Sequence, residues 1–470
     1  MRSHEPDSRF VPRAASECTS HARTPFAAPR NGARPLAPAL RSGARSAAAA
    51  FAAAAIVAAS DAGARTWYVD DRIDGHTGSG SASDPFNDLQ HAIDAASEGD
   101  RIHVQPGRYE AEPTAYVEEL CGNCEEHRTR VTATVGYAVR GKGLVIEGSS
   151  AEETFLVTHA GYGILFEDAP GSSLSGVTIT GGVRDADGNA TDGALVVRRS
   201  DLVLDACHLL DNEARAENVV VGIGGVIGRE GAEIVVRNST LRRNGWDGVA
   251  LYRGASAVIA DNVIRDGRGA GVGITWDAVA TVLRNEIAGY WKGIGTFGAS
   301  SAVVRNNAVH DNLGWGIIAT GTSFLDATNN VVHHNGNCGI AIWSAEARGR
   351  FANNVITANG WREEWVCPRV GAWADSAVTG ARFAVSHNVF WANEEGSTRA
   401  IDLLGRDRNI EEDPGLLEDG SFMPAPGSRL IDRGVESLTD LDGSRSDIGI
   451  GGGPSARARR GPEPEAAETP

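Results

Sequence analysis

The sequence contains very little lysine and methionine, and few aromatic side chains. Its 470 residues include two methionines, and Phe, Trp and Tyr together make up 6%. Lys142 and Lys292 are the only lysines, so almost all positive charge belongs to arginine. The formal net charge is −17, whereas nucleic-acid binding requires clustered Lys and Arg that contact phosphates. The composition therefore excludes a general nucleic-acid binder.

The apolar run near the start is shorter than the ~20 residues that a membrane-spanning helix needs. It follows Arg41 and Arg45 and ends at Ala62-Gly63-Ala64, which resembles a signal-peptidase site. We therefore predict a leader with a signal peptide over residues 1–64. The mature chain would be secreted or periplasmic, without a membrane span, and we expect a monomer. A membrane anchor is the alternative for this segment.

Cysteine is also sparse, with six residues in the whole chain. Cys121 and Cys124 form a C-x-x-C pair, but no second pair with zinc-ligand spacing follows. A local disulfide between these two residues is favoured over a metal site.

What the sequence does contain is glycine and a repeat. Glycine occurs 58 times, or about 12% of the residues against a usual ~7%. Asn or Ser recurs every 22 to 24 residues, at Ser239, Asn262, Asn285, Asn307, Asn330 and Asn354. A Gly precedes each of these positions by 14 or 15 residues, and apolar residues alternate after it, as in "GVALY". This alternation is typical of a strand with one buried face.

The repeat predicts an all-β solenoid, a parallel β-helix in which each rung holds about three short strands. A single rung cannot bury its apolar face, but stacked rungs share one continuous core. The recurring Asn residues would stack at an inward turn as a ladder of linked side-chain amides. We predict an N-terminal strand and capping helix over 65–110, with the helix at 85–96. The β-helix would cover 111–400, a closing segment 401–453 and a disordered tail 454–470.

Two terminal segments resemble a known group. The stretch from "TWYVDDRIDGH" to "PGRYE" and the stretch from "DPGLLEDG" to "DIGIGG" are similar to the ends of bacterial right-handed parallel β-helix proteins of the pectin-lyase-like superfamily. The resemblance covers roughly residues 66 to 450. It implies a right-handed coil with a substrate groove along the strands that follow each Gly. Relatives include lyases, epimerases and hydrolases of polysaccharides, as well as sugar-binding structural proteins.

The repeat register identifies residues that would line this groove. Aromatic side chains suit the apolar faces of sugars, and arginine suits carboxylates. The predicted substrate-binding residues are Arg229, Trp246, Trp291, Phe297, Trp315 and Trp343. The alternative for any one ring is that it fills a gap between turns.

Two kinds of catalysis fit the predicted groove. A uronan lyase or epimerase needs a cation and a proton acceptor, which Tyr252, Arg253, Lys292 and His310 could supply. A glycoside hydrolase needs two carboxyl groups about 5 to 9.5 Å apart, for which Asp247 and Asp277 are the candidates. The acidic triad of polygalacturonases and the D-P-H-D motif of epimerases are both missing. We favour a lyase or related enzyme acting on a uronic-acid polysaccharide, and the alternative is a non-catalytic glycan-binding or structural β-helix.

Three further clusters carry predictions. Asp185, Asp187, Asn189 and Asp192 alternate around a Gly turn, as in a Ca²⁺ loop, although an ordinary Asx-rich turn is the alternative. His310, Asp311, His333 and His334 stack on adjacent rungs, where they could hold a metal, provide a base or remain solvated. Cys338 and Cys367 precede strands of successive rungs, so a disulfide between them would pin the insertion containing Trp361 and Trp365 over the groove.

Overall fold

The chain folds into a stack of three-stranded rungs. The computed structural model describes residues 63–73, 78–119, 130–186, 191–212, 221–375, 377–378, 382–400 and 407–457. These residues form three sheets of 12 strands each and one helix, α1 (Leu89–Ala95). Neighbouring strands pair in parallel, with one antiparallel hairpin at the start of the third sheet. The prediction of an all-β parallel β-helix is therefore confirmed.

The three sheets run along the stack and take one strand from almost every rung. Sheet 1 contains β1 (Thr66–Val69), β2 (Arg101–Val104), β6 (Val145–Gly148), β9 (Ser172–Ser175), β12 (Asp201–Asp205), β15 (Glu233–Arg237), β18 (Ser256–Ala260), β21 (Val279–Leu283), β24 (Ser301–Arg305), β27 (Phe324–Thr328), β30 (Arg348–Ala352) and β33 (Phe383–Ser386). Sheet 2 contains β3 (Gly107–Glu110), β7 (Thr154–Val157), β10 (Thr178–Thr180), β13 (His208–Leu210), β16 (Thr240–Arg242), β19 (Val263–Arg265), β22 (Glu286–Ala288), β25 (Ala308–His310), β28 (Val331–His333), β31 (Val355–Thr357), β34 (Val389–Trp391) and β36 (Ile410–Glu411). Sheet 3 contains β4 (Thr114–Glu118), β5 (Val131–Arg140), β8 (Tyr162–Glu167), β11 (Gly193–Arg198), β14 (Gly224–Arg229), β17 (Val249–Leu251), β20 (Ala270–Ile274), β23 (Lys292–Thr296), β26 (Trp315–Ala319), β29 (Ile340–Ile342), β32 (Ala372–Ala374) and β35 (Thr398–Arg399).

The core is one apolar column inside the three sheets. Equivalent residues of successive rungs lie directly above one another, as Val249, Val272 and Ile294 do in sheet 3. All three are fully buried, and the same cluster continues from Trp67 to Phe390. Each fully buried aliphatic side chain contributes about 1.5–3 kcal/mol. The stack therefore gains stability rung by rung.

The predicted asparagine ladder forms at the turn between sheets 1 and 2. The side-chain amide of Asn307 donates to Asn330 Oδ1 at 3.0 Å, and that of Asn330 donates to Asn354 Oδ1 at 3.0 Å. Each amide also donates to a backbone carbonyl of a neighbouring rung, as Asn330 does to Val304. The ladder runs without a break from Asn262 to Asn409.

The doubled asparagines have separate structural roles. The first member of each pair has a positive φ, as at Asn306 and Asn329, and its side chain faces away from the core. Asn tolerates this left-handed conformation better than most residues. The second member, such as Asn307 or Asn330, turns inward and joins the ladder.

The N-terminal helix is shorter than the sequence pattern predicts. Residues 85–96 were expected to be helical, but α1 covers Leu89–Ala95, with Asp88 as its N-cap. Phe86 precedes it in extended form, donating to the Tyr68 carbonyl and accepting from Asp70 N–H. Because Phe86 pairs with the first strand, the helix begins only at Leu89.

The closing segment covers the outer face of sheet 2. Leu430 and Ile448 pack on the outward Val331, Val355 and Val389. The outer row of asparagines binds the same segment, as Asn306 does through the carbonyls of residues 450 and 452. Residues 1–62 and 458–470 lie outside the described part of the chain, and with them most of the predicted leader and tail. Within the described part, no helix is long and apolar enough to cross a bilayer.

Candidate active site

The outer face of sheet 3 contains a short stretch of small side chains. Ala250, Gly273 and Gly295 are paired in register on β17, β20 and β23, and they form the floor of a groove. Ile227 lies one rung before this floor, and Ile318 one rung after it. A Cβ at Gly295 would lie 2.6 Å from the Phe297 ring, so only glycine fits beneath that ring.

Asp247 reaches over this floor from the start of β17. Its Oδ1 accepts a hydrogen bond of 2.5 Å from Ala270 N–H, and its Oδ2 lies 3.7 Å from where a Gly273 side chain would begin. The residue is 8% exposed. Burial raises the pKa of its carboxyl above the ordinary value, and the positive charge of Lys292 opposes that increase. Asp247 is thus a carboxyl group with an altered pKa, placed at the centre of the groove.

Lys292 is held between two aromatic rings at the same edge of the strands. Its Nζ lies 4.6 Å from the centre of the Trp291 ring and 4.9 Å from that of Phe297. Such cation–π contacts favour the charged ammonium and restrict its position. Asp247 and Lys292 lie two rungs apart, so their backbones are about 10 Å apart at ~4.8 Å per rung. This distance places the ammonium where it can act on a ligand above Gly273.

Tyr252 follows β17 and borders the other side of the floor. It packs on the outward apolar cluster that includes Ile227. Burial and the nearby charge of Asp247 raise the pKa of its hydroxyl, and Arg229 opposes that increase. Tyr252 therefore keeps its proton at neutral pH. Asp247, Lys292 and Tyr252 are the three predicted catalytic residues that the structure brings near one another.

Arg253 and Asp277 lie farther along the turn after these strands. The Arg253 guanidinium stacks 4.6 Å above the Trp276 ring. The exposed Asp277 accepts a 2.9 Å hydrogen bond from Gly254 N–H. Because Asp247 precedes its strand and Asp277 follows the next one, about seven residues at ~3.3 Å each separate them along the strand direction. The structure does not bring these carboxyl groups within the separation that a glycoside hydrolase uses.

Four tryptophans lie on the outer side of sheet 3, from the last floor rung, that of Gly295, onwards, and we call them the tryptophan wall. Trp315 contacts Trp291 and Trp343 with ring centres 5.6 Å apart in each case, and Trp343 lies 5.1 Å from Trp373. The wall rests on Ile318. Three of its members were predicted as separate sugar contacts, whereas the structure makes them one continuous cluster in which Trp315 is buried.

Arg229 is not in the groove, contrary to our prediction. Its side chain is fully buried and pairs with Glu118 at 2.8 Å and with the Tyr162 hydroxyl at 3.0 Å. Glu118 lies on β4, whose antiparallel hairpin with β5 covers that end of the sheet. The repeat register gave the outward direction of Arg229 correctly, but it held no information about a hairpin from outside the repeat.

His310 is also misplaced in the sequence-based prediction. It ends β25 of sheet 2, and its side chain is covered by Phe422 of the closing segment, with ring centres 5.1 Å apart. Asp311 Oδ2 lies 2.6 Å from its Nδ1, and Glu286 lies 3.4 Å from its Nε2. Burial lowers the pKa of His310, but Glu286 and Asp311 together raise it above the usual value. His310 belongs to a different face from the groove and contacts none of the groove's floor residues.

The acidic run predicted to bind Ca²⁺ is only partly within the described residues, because Asp187 and Asn189 lie outside them. Asp192 pairs with the buried Arg184 at 2.6 Å. Asp185 accepts from both the N–H and the hydroxyl of Thr134. Burial raises the pKa of Asp192 to about 6. Protein donors therefore satisfy these two carboxylates, and no group of metal-ligating side chains suited to a cation occurs in the described residues.

A disulfide joins Cys338 and Cys367, whose Cα atoms are 6.0 Å apart. It anchors the insertion at its end, and Trp365 of that insertion lies 5.6 Å from Trp291 at the groove edge. Trp361 stacks instead on His334, also at 5.6 Å. Cys121 and Cys124 lie outside the described residues.

Sequence reasoning missed Trp276, Trp373 and Glu118. Trp276 supports Arg253, Trp373 completes the tryptophan wall and Glu118 closes the upstream end. Trp373 follows Gly371 by two residues and was hidden because the insertion lengthens its repeat. Trp246, which was predicted, lies in the turn beside Asp247, with its ring against Gly269.

Comparison with known proteins supports the fold. Residues 222–390 match the family model described as a right-handed beta helix region. Human SHC SH2 domain-binding protein 1 is 26% identical over 172 residues, which are 35% of this chain and 24% of that protein. The chain thus spans about a quarter of that curated relative.

Among solved structures, similarity extends to the mannuronan C-5 epimerase AlgE6 A-module of Azotobacter vinelandii, with 12% identity, coverage of 69% and 94% of the two chains and a TM-score of 0.36. Pectate lyase Pel9A shares 14% identity over 82% and 96% of the chains, with a TM-score of 0.38. XylC in complex with xylose shares 10% over 82% and 98%, with a TM-score of 0.43. At these identities, the likeness concerns the fold alone. With its three parallel sheets and the family match over residues 222–390, the described part of the chain is a right-handed parallel β-helix.

Proposed function

We propose that the protein is an exported enzyme that acts on a carbohydrate containing uronic acid, as a lyase or a related enzyme. The observation that carries the proposal is the placement of Asp247, Lys292 and Tyr252 around a floor of Ala250 and glycines. Fold alone does not give function, so the proposal rests on these side chains.

A β-elimination needs three things that these residues supply. The Lys292 ammonium would pair with the sugar carboxylate, which makes the neighbouring C5 proton easier to remove. Asp247 would take that proton, because a buried carboxylate is a stronger base than an exposed one. The C5–H electrons then form the C4–C5 double bond as the C4–O bond breaks. The leaving oxygen takes the proton of the Tyr252 hydroxyl.

The geometry favours this chemistry over glycoside hydrolysis. Hydrolysis needs a second carboxyl group about 5 to 9.5 Å from the first, and Asp277 lies at the opposite edge of the strands. The groove side of the described structure offers Asp247 a cation and a phenol as its partners.

The test is an assay of unsaturated product on a panel of uronic-acid polysaccharides and oligosaccharides, with and without Ca²⁺. We expect Asp247→Asn, Lys292→Gln and Tyr252→Phe each to abolish most of the product, and Asp277→Asn to retain it. New reducing ends without unsaturation, lost in Asp277→Asn, would show hydrolysis and overturn the lyase assignment. A strict requirement for Ca²⁺ would show that a bound cation, and not Lys292, neutralises the sugar carboxylate.

The alternative is a glycan-binding β-helix without catalysis. The tryptophan wall favours it, because partly exposed indoles such as Trp343 can pack on sugar faces whether or not a reaction follows. Absence of any product, together with binding that is lost in Trp343→Ala, would establish this function.

Export is part of the proposal. The apolar segment before Ala64 fits a signal peptide, and the buried disulfide between Cys338 and Cys367 suits an oxidising compartment. Expression of the full chain in a bacterial host, followed by N-terminal sequencing of the periplasmic protein, tests it. A start near residue 65 is expected, and retention of the whole segment in the cytoplasm would contradict export.

A further inference from the structure

We propose that the site accepts a short oligosaccharide or the terminal units of a chain, and that it excludes the interior of a long polysaccharide. This inference deepens the proposed function. It rests on one feature of the groove: the described residues close it at both ends.

The upstream end is closed by the β4–β5 hairpin. Glu118 of this hairpin reaches Arg229 of β14, which lies three strands along the sheet from β5, and both side chains are at most 3% exposed. Tyr252 and Ile227 belong to the apolar cluster beneath this hairpin, together with Tyr116 of β4. A polymer running along sheet 3 would have to displace this buried ion pair, which is costly because each charge would lose its partner.

The downstream end is closed by the tryptophan wall. Trp315 starts β26, whereas Trp343 follows β29 at the opposite edge, so about five residues at ~3.3 Å separate their positions along the strand direction. Their ring centres are nevertheless 5.6 Å apart. The two indoles must therefore extend towards each other across the sheet. Trp373 occupies the outward position two rungs after Ile318, and its ring contacts Trp343.

The distance between the two closed ends sets the size of the ligand. Ile227 and Ile318 stand four rungs apart, about 19 Å at ~4.8 Å per rung. Only the three positions of Ala250, Gly273 and Gly295 lie between them, and the Phe297 ring covers the last. The floor residues themselves are buried, so a ligand would lie over the side chains that cover them. A sugar unit is about as long as one rung, so the stretch between the closed ends has room for two or three units. Further units of a chain would have to leave the sheet surface.

The experiment measures activity and binding against a size series of one uronic-acid oligosaccharide, from the disaccharide upward, and against its parent polymer. We expect kcat/KM to level off by the trisaccharide, changing less than about twofold beyond it. With polymer, unsaturated product should accumulate while viscosity hardly changes, because terminal units are removed one after another. A steady gain with length, or an early fall in viscosity, would overturn the inference while leaving the lyase assignment intact.

Removal of the wall gives an independent test. The double variant Trp343→Ala/Trp373→Ala opens the downstream end, so longer oligosaccharides should gain affinity over the trisaccharide by about tenfold. The matched control is Trp391→Ala, an exposed tryptophan of sheet 2, which should behave as the parent protein. Binding is measured on Asp247→Asn as well, where turnover is blocked. If no uronic-acid ligand of any size is bound or converted, the proposed function itself fails.

Discussion

The two inward turns of each rung differ in a way that separates structure from chemistry. At the turn between sheets 1 and 2, asparagine amides are linked without interruption from Asn262 to Asn409. At the turn between sheets 2 and 3, a second ladder joins Asn212 to Asn244 and later Asn312 to Asn335. Between these two sections, the ladder is interrupted on two rungs.

The interruption falls on the two rungs that follow the rung of Asp247, and the second of them carries Lys292. Gly267 and Tyr290 occupy the two ladder positions, just before β20 and β23. A Cβ at Gly267 would lie 2.1 Å from the Tyr290 ring, so this ring uses the space of both positions. The Tyr290 hydroxyl is buried without a hydrogen-bond partner among the described residues. The asparagine ladder is continuous where it only stabilises the coil, and it is interrupted next to Asp247 and Lys292.

The largest effect is expected in catalysis, from a change at Asp247 beside the interruption. Asp247→Asn preserves an acceptor for Ala270 N–H but removes the base, so kcat/KM should fall by about 10²–10⁴. Far-ultraviolet circular dichroism should be unchanged. Activity within a few-fold of the parent protein would place the chemistry elsewhere and break the link between the interruption and function.

The next largest effect is a loss of stability, which we expect when the continuous ladder is broken. Asn330→Ala leaves the backbone N–H and the side-chain amide of Asn307 without their acceptor, and buried unpaired donors are costly. Urea unfolding should show a loss of about 3 kcal/mol. A loss below about 0.5 kcal/mol would mean that water replaces the ladder bond.

Tyr290→Phe is the counterpart to that variant in the interrupted ladder. Since the hydroxyl has no described partner, its removal should change the free energy of unfolding by less than about 0.5 kcal/mol or increase it slightly. A loss comparable to that of Asn330→Ala would reveal a hydrogen bond to water that holds the turn.

A repair of the second ladder sharpens the comparison further. Gly267→Asn alone should destabilise the protein by about 1–3 kcal/mol, because its side chain collides with the Tyr290 ring. Gly267→Asn combined with Tyr290→Asn removes the collision and restores the series of amides. Unfolding free energies should show recovery in the double variant, while activity stays low because the turn beneath Asp247 has been repacked. Full activity in the double variant would show that the interruption of the ladder is not needed for function.

The smallest effect concerns pH. Burial raises the pKa of Asp247 in the folded state, so the folded protein favours the protonated carboxyl. The stability that this contributes is complete below the ordinary Asp pKa of ~4 and is lost as pH rises through the raised value. Asp247→Asn should therefore be more stable than the parent protein at neutral pH, and the difference should shrink in acid. A difference that is constant with pH would contradict the raised pKa.

Much of the fold could be predicted because the repeat is local in the sequence. The spacing of Asn262, Asn285 and Asn307 required identical stacked turns, and alternation after each Gly required strands. The helix was predicted too long at its start because Phe86 pairs with the first strand, and such pairing between distant residues leaves no periodic signal.

The candidate site was predicted in part. Asp247, Tyr252 and Lys292 were found because the register places them on the outer face beside the floor. Arg229 and His310 were misassigned because Glu118 and Phe422, which cover them, belong to segments outside the repeat. A register predicts the direction of a side chain from its own rung, but it says nothing about what another segment places over it.

The sequence by itself therefore determined the coil, its three sheets and the asparagine ladder, because each depends on interactions between equivalent positions one rung apart. Only the tertiary structure decided which outward residues lie beside the candidate groove and which segments bound it. Those properties depend on a hairpin, a closing segment and tryptophans from opposite edges of the sheet. Such contacts join residues without any fixed spacing, so they become visible only when the chain is folded.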